Sequence, residues 1–265
     1  MRHDVTKTDN PLIKKLAANE TALCLAVRLL RLPHVAHMAK AAGFEAIYYD
    51  MEHSALSAED CSRLCIAAWD IGVTPLVRVP SKDAHGISAA LDGGAAGVIV
   101  PHVDTAAEAR AIAEAALFPP LGKRSVAGSG VGLGYAALAP ADAYAKLNER
   151  TLVIAMVESE EGIANADAIA ATPGIDMLLI GTNDLCAELG IHGQLDHPKV
   201  RAAYDAAAKA CNTHGCTLGI GGIKSGAMLA DLHKMGARFL LGRTDEALLL
   251  AGAKDEAKSL RQLFA

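Results

Sequence analysis

Short runs of β-branched and other apolar residues alternate with longer stretches of helical periodicity along the whole chain. No other feature of the sequence limits the fold as much. The spacing predicts strands over residues 22–27, 46–50, 74–79, 97–101, 152–157, 177–180, 217–220 and 239–242. Between them, apolar residues recur at three- and four-residue steps over 35–42, 58–71, 84–91, 105–117 and 200–214, as in helices with one buried face. Gly43, Gly72, Gly215 and Gly236 each stand just ahead of a strand, where a helix end favours left-handed backbone. The unit strand–helix–glycine, repeated to eight strands in 265 residues, predicts an α/β fold, a (β/α)8 TIM barrel, spanning 1–265 as one domain. A doubly wound sheet usually needs fewer strands, and no linker-like change of composition divides the chain.

Composition agrees with this. Hydrophobic residues make up 52% but aromatics only 4%, so the core is Ala, Leu, Ile and Val, which suits helices on a parallel sheet. The net charge of −5 comes without a basic cluster, so no nucleic-acid partner is expected. Residues 1–10 lack the apolar stretch of a secretory signal, and no apolar run nears the ~20 residues of a membrane span. A cytoplasmic location without membrane contact is expected. The six cysteines form no CxxC pair and are expected to be reduced thiols rather than zinc ligands.

In such a barrel the catalytic groups sit at the C-terminal strand ends. Those ends carry Asp50, Glu52 and His53, then Arg78, His102, Glu158 and Glu160, and Asp184. Glu158 and Asp184, on neighbouring strands and each next to an apolar run, form a candidate pair for Mg2+ or Mn2+. Each alone would read as a solvated loop acid. His53 has the titration range of a general acid/base, or is a structural histidine at a strand end. Arg78 either grips a keto acid with its planar fork or pairs with a strand-end acid. Residues 117–134 break the rhythm with Phe118-Pro119-Pro120-Leu121-Gly122-Lys123-Arg124 and a glycine-rich tail over 125–134, a loop or lid rather than a phosphate cradle. No predicted strand interior holds a lysine, which argues against Schiff-base chemistry.

At these residues the chain resembles the HpcH/HpaI aldolases. The resemblance rests on Asp50-Met51-Glu52-His53, on Pro75 to Pro80 around Arg78, and on Leu91-Asp92-Gly93-Gly94-Ala95 with Gly97 to Pro101. It also rests on the Pro-Pro loop, on Val157-Glu158 and on Gly181-Thr182-Asn183-Asp184-Leu185. It implies a metal-dependent class II aldolase that reversibly cleaves 4-hydroxy-2-oxo acids to pyruvate, or a related 2-oxo acid, and an aldehyde. Glu158 and Asp184 would bind the divalent ion (Mg2+, Mn2+ or Co2+), and Arg78 would hold the keto oxygen. His53 would be the acid/base with Asp92 orienting it, and Asp50 and Glu52 would stand behind them. Gly181, Thr182 and Asn183 would contact substrate; Arg28, at the end of the first strand, either points into the barrel mouth, where it would pair with a distal acidic group of the substrate, or faces solvent.

The resemblance further implies a homo-oligomer, commonly a trimer of dimers, with the last helix exchanged between protomers. The chain departs from the family pattern at Met156, where Gln is usual, at Thr182 and Asn183 in place of Pro-Ala, and at Arg28. These departures fall on the aldehyde side of the pocket. An acyl-CoA lyase of the citramalyl or malyl type and a non-catalytic keto-acid-binding protein are the alternatives.

Overall fold

A computed structural model describes residues 3–4, 6–125, 130–223 and 226–264. Of the glycine-rich stretch 125–134, residues 126–129 lie outside the described residues. The first half of the chain runs α1 (Pro11–Ala17), β1 (Ala22–Val27), α2 (His34–Ala41), β2 (Ala46–Asp50), α3 (Ala58–Asp70), β3 (Thr74–Arg78), α4 (Ala84–Asp92), β4 (Gly97–Val100), α5 (Ala106–Ala116) and α6 (Pro140–Arg150). The second half runs β5 (Leu152–Val157), α7 (Glu160–Ala164), α8 (Ala166–Ala170), β6 (Met177–Gly181), α9 (Thr182–Glu188), α10 (Pro198–His214), β7 (Thr217–Gly221), α11 (Gly226–Lys234), β8 (Ala237–Thr244) and α12 (Asp245–Gln262).

The eight strands close into one parallel barrel in sequence order, β8 pairing with β1. Closure removes the free edges that would otherwise expose backbone donors and acceptors. The pleat then divides the apolar residues into two cores. Ala22, Cys24, Ala26, Tyr48, Leu76, Ile99, Ile154, Met156, Leu179 and Phe239 fill the interior, while Leu25, Ile47, Val77, Val98, Val153 and Ile180 face the helices. Helix α1 stops the interior at its lower end with Leu12, Ile13 and Leu16. It starts from Asn10, whose side chain accepts the Leu12 N–H, followed by Pro11 in the first turn.

Helix termini are built from local signals. Ser57 with Asp60 and Thr105 with Glu108 form reciprocal capping boxes at α3 and α5. The one irregular seam is β8. Cys24 pairs with Leu241 and Ala26 with Thr244, so two β8 residues oppose one on β1. The outer face of this seam is open: Leu23 is 41% exposed and a cavity of about 250 Å3 is lined by Leu23, Phe44, Leu229 and Leu240. Only Asp245 of α12 is buried, and Leu248, Leu249, Leu250, Leu260, Leu263 and Phe264 are exposed. Among the described residues no helix is long and apolar enough to cross a membrane.

Candidate active site

Strand alternation aims the key side chains inward. Asp50 and Arg78 are register partners on β2 and β3, both continuing the inward rows of Tyr48 and Leu76. The pairing Ala26–Tyr48, carried two residues on, brings Arg28 beside Asp50. The result is a row of charges, plus–minus–plus, across three strand ends. Arg78 donates from Nε to Asp50 Oδ1 at 2.9 Å and from Nη2 to Oδ2 at 2.6 Å, a two-pronged pair. Arg28 Nε donates to the same Oδ2 at 2.6 Å. The backbone N–H groups of Glu52 and His53 donate to Asp50 Oδ1, each at 3.1 Å. Burial alone would raise the Asp50 carboxyl, but the Arg78 hydrogen bonds and charge outweigh it and hold the group at about 2.

Arg78 is itself 4% exposed. Its Nη1 lies 3.0 Å from Glu52 Oε2 and 3.7 Å from Met156 Sδ. The salt-bridge reading of Arg78 is therefore realised, yet the fork still borders the central cavity. His53 is half exposed, lines that cavity, and has Nε2 3.7 Å from Glu52 Oε2.

On the other side of the mouth, Glu158 extends the inward row of Ile154 and Met156 and is 3% exposed. The pairing Val157–Ile180 brings it alongside Gly181. A Cβ on Gly181 would stand 2.3 Å from Glu158 Oε2, so only glycine leaves room for this carboxylate. Burial pushes the Glu158 carboxyl up to about 7; Asp184 and Glu52 add to the rise, and His102 opposes it. A buried acid with a second carboxylate beside it is a site short of positive charge. Two carboxylates, with water and substrate oxygens completing the shell, fit a hard divalent ion. Among the described residues no three His, Cys, Asp or Glu side chains converge as a closed cage.

His102 joins the two halves. Its backbone N–H donates to Glu158 Oε1 at 3.0 Å; its ring lies 3.4 Å from Glu158 Oε1 through Nδ1 and 3.4 Å from Glu52 Oε1 through Nε2. Its φ of +53° lies in the left-handed region, sparsely used by non-glycine residues. Sequence reasoning placed His102 at a strand end and gave it no role, since its pairing with two acids depends on backbone geometry.

Two of the expected site residues have other partners within this chain. Asp92 does not stand with His53 in this chain. Helix α4 runs back against the strands, so its last residue lies at the opposite barrel end. There Asp92 Oδ1 accepts from Arg124 Nη2 at 2.5 Å. The Thr182 hydroxyl donates to Gly221 O at 2.6 Å, lies 2.7 Å from the Tyr204 hydroxyl, and ties the end of β6 to β7. Gly181, Thr182, Asn183, Asp184 and Arg28 line the cavity, whose volume is about 280 Å3.

Comparison with known proteins places this geometry. Residues 29–229 match the family model described as HpcH/HpaI aldolase/citrate lyase. The chain is 39% identical over 260 residues to the 4-hydroxy-4-methyl-2-oxoglutarate aldolase of Hapsidospora irregularis, covering 96% of each. It is 34% identical over 223 residues to the hydroxypyruvate/pyruvate aldolase of Roseobacter denitrificans, covering 83% of this chain and 86% of that one. The crystal structure of an HpcH/HpaI aldolase from Desulfitobacterium hafniense superposes with a TM-score of 0.89 at 30% identity, covering 94% of this chain and 96% of the other. The chain belongs to the HpcH/HpaI aldolase/citrate lyase family.

Proposed function

We propose that the chain is a class II aldolase that reversibly cleaves 4-hydroxy-2-oxo acids to pyruvate, or a related 2-oxo acid, and an aldehyde or ketone. The observation that carries this reading is the buried Glu158 carboxylate beside Asp184, with Asp184 and the Asp50-bound Arg78 lining one small cavity. Glu158 and Asp184 would hold Mg2+, Mn2+ or Co2+. When bound, the ion supplies Lewis-acid charge that favours an enolate.

The protein supplies the rest. Arg78, immobilised by Asp50, presents a fixed positive charge to the oxygen where negative charge develops. His53 takes the proton of the 4-hydroxyl group. The C3–C4 bond then breaks, the carbonyl fragment leaves, and protonation at C3 gives the pyruvate methyl group. Glu52 and His102 brace the two sides. The strands of the barrel hold no lysine, consistent with a route that needs no Schiff base. The cavity of about 280 Å3 lies at the small end of the ~300–1,000 Å3 range of ligand sites, which suits a short acid better than a CoA thioester.

For the assembly, we propose a homo-oligomer, a trimer of dimers, in which α12 is exchanged and its leucines cover the open β8–β1 seam of another copy. The exposed α12 leucines and the apolar cavity beside Leu23 and Leu240 support this.

The activity is tested by supplying 4-hydroxy-4-methyl-2-oxoglutarate and following pyruvate release. Turnover is expected, and His53→Ala should lower it about 10²–10⁴-fold, together with exchange of the pyruvate methyl protons. Absence of pyruvate from every 4-hydroxy-2-oxo acid offered, or turnover confined to CoA thioesters, would overturn the reading.

A further inference from the structure

The joint between α10 and β7 sets two of the six cysteines against each other. Cys211 lies in the last turn of α10, and Cys216 follows the glycine that ends the helix. Gly215 takes the left-handed conformation, with φ +70°. The chain then folds back: the Cys216 N–H donates to Cys211 O at 3.1 Å, and the Gly215 N–H donates to the same oxygen. In such a glycine-capped helix end the residue after the glycine packs against the last turn. Here both contacting residues are cysteines. Cys211 Sγ also reaches Thr217 O, at 3.5 Å, and so stands over the first residue of β7. The hydrogen-bonded backbones hold the two Cα atoms at a separation that a disulfide can span.

The two thiols differ in surroundings. Cys211 is 2% exposed, whereas Cys216 is partly open to solvent. Hydrogen bonding between the thiols draws Cys216 below its ordinary value against the effect of burial, and pushes Cys211 well above its own. Cys216 thus ionises first, within reach of solvent, with a protonated thiol beside it. That is the arrangement of an attacking and a resolving cysteine. Cys61 and Cys65, one turn apart on α3, lack it: both are buried, and burial pushes both thiols up. The aldol chemistry does not use the α10–β7 joint, which lies at the barrel end opposite the central cavity.

We propose that Cys211 and Cys216 form a reversible, peroxide-driven disulfide that staples the end of α10 to the start of β7. The oxidant is a hydroperoxide, hydrogen peroxide being the simplest. The Cys216 thiolate attacks one peroxide oxygen and the O–O bond breaks. That oxygen stays on sulfur as a sulfenic acid, and the other leaves as hydroxide, which takes up the proton that Cys216 had released. Cys211 sulfur then attacks the sulfenic sulfur. The S–S bond forms, the S–OH bond breaks, and the hydroxyl group leaves with the Cys211 proton as water. Two thiols are oxidised, one peroxide is reduced to two waters, and a dithiol reverses the change.

The test reads mass. The native full-length chain is treated with equimolar hydrogen peroxide, denatured, alkylated with N-ethylmaleimide and cleaved with trypsin. Cleavage after Lys209 and Lys224 gives a peptide that holds Cys211 and Cys216 and no other cysteine. It should emerge unalkylated and two hydrogens lighter than the dithiol, and dithiothreitol before alkylation should return both alkylation sites. Peptides with Cys24, Cys61, Cys65 and Cys186 should stay alkylated. Cys211→Ser should leave a sulfenic acid on Cys216 that dimedone traps, and Cys216→Ser should leave Cys211 alkylated. A wild-type peptide that carries both alkyl groups after peroxide would overturn the proposal. So would Cys216 driven to a sulfonic acid with Cys211 still alkylated, or equal oxidation of the other four cysteines.

Discussion

Asp50 carries the densest set of contacts in the site, accepting from Arg28, Arg78 and two backbone N–H groups. Its carboxyl lies at about 2 against an ordinary 3.8. The folded value is below the unfolded one, so the stabilisation is present above that ordinary value and is lost as pH falls through the folded value. Asp50→Asn should therefore cost about 2 kcal/mol in urea unfolding at neutral pH, with the gap closing in strong acid. A gap that stays constant down to the folded value would contradict this. Gly181→Ala should lower Mn2+ affinity about 10–100-fold while leaving the circular dichroism spectrum intact, because the new methyl occupies the space of Glu158 Oε2. Unchanged Mn2+ affinity would count against Glu158 as a ligand. At this scale the sequence was informative where a side chain's direction follows from strand alternation, as for Asp50, Arg78 and Glu158. It was uninformative where direction depends on a loop or on a distant partner. The Thr182 hydroxyl, the His102 ring and the Asp92–Arg124 pair are all of that second kind.

Among elements, the strands were the most legible, since each apolar run is bounded by polar residues or glycine. Seven of the eight observed strands end within one residue of the periodicity; β8 instead begins two residues earlier and runs two further, through its bulge. Helix α1 was not foreseen, because seven residues carry too few turns for a periodic signal. Only the Asn10 cap and Pro11 marked it. Yet α1 closes the barrel floor: Leu12 is 0% exposed in the inner core. Leu12→Ala should cost about 2–5 kcal/mol in denaturant unfolding, the range for a buried leucine that leaves a cavity. A loss below about 1 kcal/mol would mean that α1 rests on the barrel without sealing it. Helix α12 poses the reverse case. It has a good cap in Thr244, whose side chain accepts the Ala247 N–H, and leucines enough for a core face, but its own chain gives that face no cover.

For the whole molecule, those uncovered leucines and the open β8–β1 seam are complementary surfaces on one chain, which is the condition for exchange between copies. Sedimentation should find an oligomer, and a chain ending after Thr244 should sediment as a smaller species; a monomeric full-length chain would contradict the exchange. The barrel itself could be read from alternation because each repeat is local, whereas assembly depends on surfaces that meet only between copies. Function lies between these cases. Strand-end acids identified a cation-ready barrel, and family membership narrowed the chemistry to aldol cleavage. The most direct measurement is reconstitution. Chain stripped of divalent ions should release no pyruvate from 4-hydroxy-4-methyl-2-oxoglutarate, and Mg2+, Mn2+ or Co2+ should restore release in the wild type but not in Asp184→Asn. Full activity in the stripped wild-type protein, unaffected by any of the three ions, would contradict the account.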